Sequence, residues 1–215
     1  MAEIVPTILT NDVEKYKQTI TTFQPFAKRV QIDVSDGTFA PGATLPLNNL
    51  YWPKEWQVDF HMMVVRPSEY MPLILQLKPS LVIFHAECSE NLLPLFEQLK
   101  SAGIRTGVAL MKRTFPGNVK QYIDVADHVL VFAGEIGKQG GEADMMQTEK
   151  VPLIKAMKPE VEIGWDGGAN LRNVRAIMHS GVDVINVGST IAMASDPGAM
   201  YEALVADLDK RGVVV

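Results

Sequence analysis

The chain has 215 residues, 47% of them apolar and 21% charged, with a formal net charge of −5. That length favours a single domain with a sizeable core, spanning residues 1–215, and the charged fraction gives no sign of disorder. The acidic balance argues against a nucleic-acid surface, which needs a basic face, and leaves room for a local pocket that takes a small anion.

From the N-terminus, Met1-Ala2-Glu3-Ile4 lacks the basic start and apolar core of a signal peptide, so a cytoplasmic protein is expected. Ile4–Leu9 predicts the first strand, and Asp12–Thr22 a helix capped by the short polar side chains of Thr10-Asn11-Asp12. Arg29–Val34 is the second strand. Gly37–Pro53, rich in Pro, Gly and Asn, is an irregular connection of the length that is functional or mobile in compact domains. Gln57–Met63 and Leu81–His85 are strands three and four, with a helix at Pro67–Leu77 that carries proline near its start. Cys88, the lone cysteine, excludes a disulfide within the chain and a Cys-based zinc site, and reads as a buried or half-buried thiol. Helix Glu90–Ala102 stops at Gly103. Strand Thr106–Met111, helix Pro116–Val125 and strand His128–Phe132 follow. A glycine-rich connection, Gly134–Asp144, leads to helix Thr148–Met157. Strand Glu160–Trp165, helix Leu171–Ser180, strand Val182–Val187 and helix Pro197–Lys210 complete the chain. No apolar run approaches the roughly 18 residues that span a membrane.

The strands are apolar nearly throughout, as parallel strands are when both faces are covered. Alternation of this kind builds an open doubly wound sheet or a closed barrel. Eight units in this length favour an α/β fold of one kind, a single (β/α)8 TIM barrel. In that fold, residues at the C-terminal ends of the strands converge on one mouth, where polar groups are functional. Gln31, Asp33 and Ser35 share one face of the second strand by its two-residue period, and buried polar groups are costly unless paired or used. Asp33, His61 and Asp166 come from strands two, three and seven. Two carboxylates and an imidazole suit a divalent metal ion, and the same carboxylates could move protons on opposite faces of a substrate. His61 alone also reads as a hydrogen-bonded core histidine. His128, at the closed end, and His179, at a helix end, read as structural. Gly167-Gly168 and Gly188-Ser189 close strands seven and eight, where the backbone can approach an anion and phosphate sites of this fold occur.

Six runs together resemble the ribulose-phosphate 3-epimerase family of ribulose-phosphate-binding barrels, over nearly the whole chain. They are Pro6-Thr7-Ile8-Leu9, the stretch from Ile32 to Phe39, Asp59-Phe60-His61-Met62-Met63, Phe84-His85-Ala86-Glu87, the stretch from Trp165 to Asn170, and Val187-Gly188-Ser189. The resemblance implies a phosphorylated sugar as ligand, a homo-oligomer, and epimerisation at C3 of a ketose 5-phosphate through an enediolate, with Asp33 and Asp166 as the acid/base pair. It implies a divalent ion (zinc, manganese, cobalt or iron) held by Asp33, His61 and Asp166, with Gln31 where the family has a fourth ligand, histidine. It also implies substrate contacts from Thr7 (serine in the family), His61, Gly140 and Gly141. Ser35 and Phe132 stand where the family has methionines, and Trp165 adds a large ring beside Asp166. After the sixth strand the family shows a Val-Asn-Pro-Gly-Phe-Gly-Gly-Gln type of loop; this chain has Gly134-Glu135-Ile136-Gly137-Lys138-Gln139-Gly140-Gly141, which keeps glycines and adds Lys138.

Three functions compete on these residues. The first is a ribulose-phosphate 3-epimerase or a relative acting on another ketose phosphate. The second is a non-catalytic or altered-specificity phosphosugar-binding barrel, which Gln31 and the altered loop favour. The third is a decarboxylase or aldolase-like member of the same group. Against it, those decarboxylases carry an Asp-x-Lys-x-x-Asp run where this chain has Ser35 rather than lysine.

Overall fold

A computed structural model describes residues 2–138 and 140–209. Gln139 and Lys210 therefore lie outside the described residues. Eight parallel strands close into a barrel in sequence order. They are β1 (Glu3–Ile8), β2 (Arg29–Ser35), β3 (Gln57–Met63), β4 (Leu81–His85), β5 (Arg105–Leu110), β6 (His128–Phe132), β7 (Glu162–Asp166) and β8 (Val184–Val187). Around them run α1 (Val13–Phe23), α2 (Met71–Leu77), α3 (Leu93–Ser101), α4 (Lys120–Ile123), α5 (Lys150–Met157), α6 (Val174–His179), α7 (Ser189–Ala192) and α8 (Pro197–Leu208).

The predicted strands all form, with ends displaced by up to two residues. The helices differ more. Asp12 caps α1 as expected, its carboxylate accepting from the amides of Glu14 and Lys15. Pro67–Leu77 divides into a 3-10 turn, Pro67–Tyr70, and then α2, because the second proline, Pro72, starts its own first turn. Pro116–Val125 also divides, into Pro116–Val119 and the short α4. The stretch Leu171–Ser180 is helical only from Val174: Asn173 Oδ1 accepts the Asn170 amide and holds the preceding residues in a turn. A one-turn helix, α7, was not expected; Ser189 begins it directly after Gly188, the residue that follows β8.

Alternation along the strands sorts the side chains. Outward residues of the strands and the inner helix faces form the main core, which includes Phe60, Phe84, Trp165, Ile74 and Phe96. Each such buried side chain contributes roughly 1.5–3 kcal/mol. Inside the barrel a small apolar layer, Leu81, Ile83, Ala109 and Leu130, fills the centre. Gly164 keeps this layer tight, since a Cβ there would meet Leu130 Cδ1 at 2.8 Å, and His128 Nε2 beneath it at 2.4 Å.

Below that layer, at the N-terminal end, sits a buried ionic cluster. Arg29 Nε donates to Asp59 at 2.7 Å, and its two Nη groups reach Glu162 at 3.1 and 2.9 Å. Glu3, Arg105 and His128 complete the cluster, with His128 Nδ1 2.8 Å from Glu162. His128 is thus structural, as expected. Cys88 is half-buried.

Candidate active site

The upper interior layer is polar. Neighbouring strands set Asp33 beside His61, and Asp166 beside Asn186, in register. Asp33, at the end of β2, has a side chain only 10% exposed, and His61 is 1% exposed. His61 Nδ1 lies 2.9 Å from Asp33 Oδ1 and 3.4 Å from Asp166 Oδ2. Ligand atoms of these three residues all fall within 4.8 Å of one another.

Gln31 lies beneath them, fully buried. Its Nε2 donates to Asp33 Oδ1 at 2.9 Å and to Asp166 Oδ2 at 2.6 Å, bridging the two carboxylates. Its Oε1 is buried with no partner. A half-turn of the amide would set that oxygen among the other donor atoms, and the pair of orientations differs only by exchange of O and N.

Electrostatics follow from this packing. Burial raises the Asp33 carboxyl above the ordinary range; the His61 hydrogen bond opposes the shift and the Asp166 charge adds to it. Burial works against a charged His61, but hydrogen bonds and charge from Asp166 and Asp33 prevail and raise it to about 9. Burial lowers His85 to about 4, against the pull of Glu87.

The residues expected to meet substrate line one cavity at the mouth: Thr7, Asp33, His61, Gly140, Gly141, Asp166, Gly167, Gly168, Gly188 and Ser189. Gln31 lies below its floor. Gly167 and Gly168 both have positive φ, 114° and 68°. They serve more than an anion: a Cβ at Gly167 would meet Gly134 N at 2.1 Å, and one at Gly168 would meet Ala143 N at 2.1 Å. The turn after β7 therefore holds the loop after β6 against it. Gly188 leaves space for the Thr7 hydroxyl, 2.6 Å from where its Cβ would stand.

Ser35 does not reach the cavity. Its hydroxyl accepts from the Gly37 amide at 3.2 Å and serves the loop after β2. In that loop Asp36 accepts from the amides of Thr38, Phe39 and Val65, each at 2.7 Å. This places the Phe39 ring 4.8 Å from that of His85. Trp165 points away from the mouth, fully buried on the outer face of β7, and its Nε1 donates to Gly167 O at 3.1 Å.

Sequence reasoning gave no role to Asn186, His85 or Glu87. Asn186 lines the cavity, and its Oδ1 is buried without a partner. Its position, two residues before Gly188 on the same face of β8, was the available signal. His85 and Glu87 form a chain behind His61 that only the folded barrel reveals.

A closed parallel barrel with two carboxylates and an imidazole gathered at its C-terminal mouth, rimmed by glycine turns after β7 and β8, defines a (β/α)8-barrel enzyme. The chain belongs to the ribulose-phosphate 3 epimerase family, whose pattern it matches over residues 3–192, and is an epimerase-like isomerase. It is 27% identical over 211 residues to the ribulose-phosphate 3-epimerase of Schizosaccharomyces pombe, covering 94% of this chain and 92% of that one. It is 28% identical to the cytoplasmic isoform from Oryza sativa subsp. japonica, with the same coverage. Among solved structures, 3-hexulose-6-phosphate synthase from Salmonella typhimurium superposes with a TM-score of 0.70 at 16% identity, covering 96% of this chain and 98% of that one. Orotidine 5'-phosphate decarboxylase from Pyrococcus horikoshii gives 0.68 at 13% identity, covering 97% and 100%. Those two likenesses are of fold. Among the described residues no helix is long and apolar enough to cross a membrane.

Proposed function

We propose that this chain is a single-domain cytoplasmic enzyme that interconverts ribulose 5-phosphate and xylulose 5-phosphate by inverting C3. The observation that carries the reading is the pairing of Asp33 and Asp166 beside His61, at the floor of the cavity that the glycine turns rim. One aspartate removes the C3 proton; the electrons of the C–H bond move toward C2 to give an enediolate. The other aspartate, entering the step protonated, returns a proton to the opposite face of C3. The two carboxyls must therefore differ in protonation, and burial of Asp33 favours its holding a proton. Thr7, Gly140, Gly141, Gly167, Gly168, Gly188 and Ser189 hold the phosphate end.

Asp33, His61 and Asp166 would hold a divalent ion, with Gln31 as fourth ligand through the oxygen now without a partner. The donor set fits: three converging donors and one available carboxamide oxygen, harder than the histidine it replaces, which suits manganese, iron or cobalt as well as zinc. Such an ion, when bound, would supply positive charge that stabilises an enediolate. His61 and Gln31 otherwise orient the carboxylates, and the seated loop after β6 limits water at the site.

The bridging Gln31 amide favours one alternative, a barrel that binds the sugar phosphate without turning it over. One assay separates the two: epimerisation of ribulose 5-phosphate with zinc, manganese, cobalt or iron added in turn, beside binding of the same sugar. Asp166→Asn should lower kcat about 10²–10⁴-fold while sugar phosphate affinity persists. Binding with no turnover under any metal establishes the alternative, and full activity in Asp166→Asn removes the two-aspartate mechanism.

A further inference from the structure

His61 Nε2 points away from the carboxylates and lies 2.9 Å from His85 Nε2. His85 is fully buried on β4. Its other nitrogen, Nδ1, lies 3.4 Å from Glu87 Oε2. Glu87 is itself anchored: Oε1 accepts from the Met111 amide at 2.9 Å and from the Thr114 hydroxyl. Its side chain is 27% exposed, so the chain of contacts runs from the active site through the barrel wall to the surface.

A contact between two ring nitrogens needs one hydrogen between them, and geometry alone leaves its owner open. The end of the chain settles it. The Glu87 carboxylate is held as an ion by two donors and offers only acceptors. His85 must then present Nδ1–H to it, which leaves the neutral ring with a lone pair on Nε2. The hydrogen shared with His61 therefore belongs to His61 Nε2. His61 then faces Asp33 and Asp166 with Nδ1, and the proton that Nδ1 shares with Asp33 in the metal-free protein is the one whose loss frees a lone pair there. Ring packing holds the orientation: Phe39 and Phe132 lie 4.8 and 6.0 Å from the His85 ring.

We infer that Glu87, acting through His85, is a positioning residue that fixes the proton of His61 on Nε2 and so reserves Nδ1 for a divalent ion. This rests on the metal-supported reading of the site. A histidine ligand whose far nitrogen lacks a firm acceptor loses orientation and basicity, and removal of such a partner lowers metal affinity about 10–100-fold.

Glu87→Gln is nearly isosteric and tests the inference, since glutamine can donate as well as accept and no longer dictates the direction. Two measurements apply. In the metal-free protein at about pH 10, where His61 has lost its second proton, nitrogen-15 correlation spectra read the tautomer of neutral His85. The wild type should show the proton on Nδ1, and Glu87→Gln a mixture. Zinc affinity, by competition with a chromophoric chelator, should fall about 10–100-fold in the variant. Thr114→Val keeps the charge and removes one anchor, and should give a smaller loss in the same direction; it serves if Glu87→Gln melts. A wild-type His85 protonated on Nε2 overturns the inference, and so does unchanged zinc affinity in Glu87→Gln. A wild type that binds no zinc at any concentration sinks the metal reading and this inference with it, whereas zinc binding indifferent to Glu87 sinks the inference alone.

Discussion

Gln31→Met isolates what the buried amide does. In the folded chain Gln31 Nε2 donates to Asp33 at 2.9 Å and to Asp166 at 2.6 Å. Hydrogen bonds to charged groups contribute about 1.5–3 kcal/mol each, so the gross loss is about 3–6 kcal/mol. Methionine also removes Oε1, a buried acceptor with no partner, and relieves a desolvation penalty of about 1–3 kcal/mol. Offsetting the midpoints of the two ranges leaves a net loss of about 2.5 kcal/mol. The carboxylates are 10% and 15% exposed, so solvent screens these bonds little. Urea unfolding at pH 8 with EDTA measures the loss. With excess zinc it should shrink, because the ion then offsets the repulsion between the carboxylates. Gln31→His keeps a donor and should retain zinc longer during dialysis. A loss below about 0.5 kcal/mol in EDTA would refute the view that the amide stands in for a cation between the aspartates.

Two further outcomes follow from the same interior. His61 titrates near 9 in the folded chain against an ordinary 6.5, so the folded form binds its proton more tightly; that stabilisation is complete below about pH 6.5 and is lost as pH rises through about 9. Metal-free unfolding between pH 6 and 9.5 should show this decline in the wild type and lose it in His61→Gln; a flat wild-type profile contradicts the assignment. At the other end, Arg29→Met strands Asp59, which is only 2% exposed, and should destabilise by about 3–5 kcal/mol, measured by urea unfolding. Arg29→Met combined with Asp59→Leu should recover most of that, and a single variant as stable as wild type would show the cluster to be dispensable.

The barrel was legible because both faces of a parallel strand are covered, so each strand reads as an apolar run and its polar exceptions stand out. Asp33, His61 and Asp166 were such exceptions, and the structure places them together. Gln31 was legible as an inward residue, but the direction of its amide was not, since that depends on carboxylates on two other strands. The Arg29 cluster went unread for a related reason: Glu162 lies 133 positions away, and nothing local to either residue announces the pairing. Gly167 and Gly168 were read as room for an anion, yet their positive φ also serves the loop after β6, a contact between two backbones that leaves no mark on composition. Proline placed the first turns of α2 and the 3-10 turn before α4, but the breaks within those stretches depend on which turn a second proline or a packed neighbour enforces.

The ionic cluster under the apolar layer has a consequence for traffic. With Arg29, Asp59 and Glu162 knitted across the base and Ile83 and Leu130 stacked above them, the barrel is a cup with a sealed bottom. Water and dissolved molecules reach the aspartates only over the rim, where the glycine loops stand.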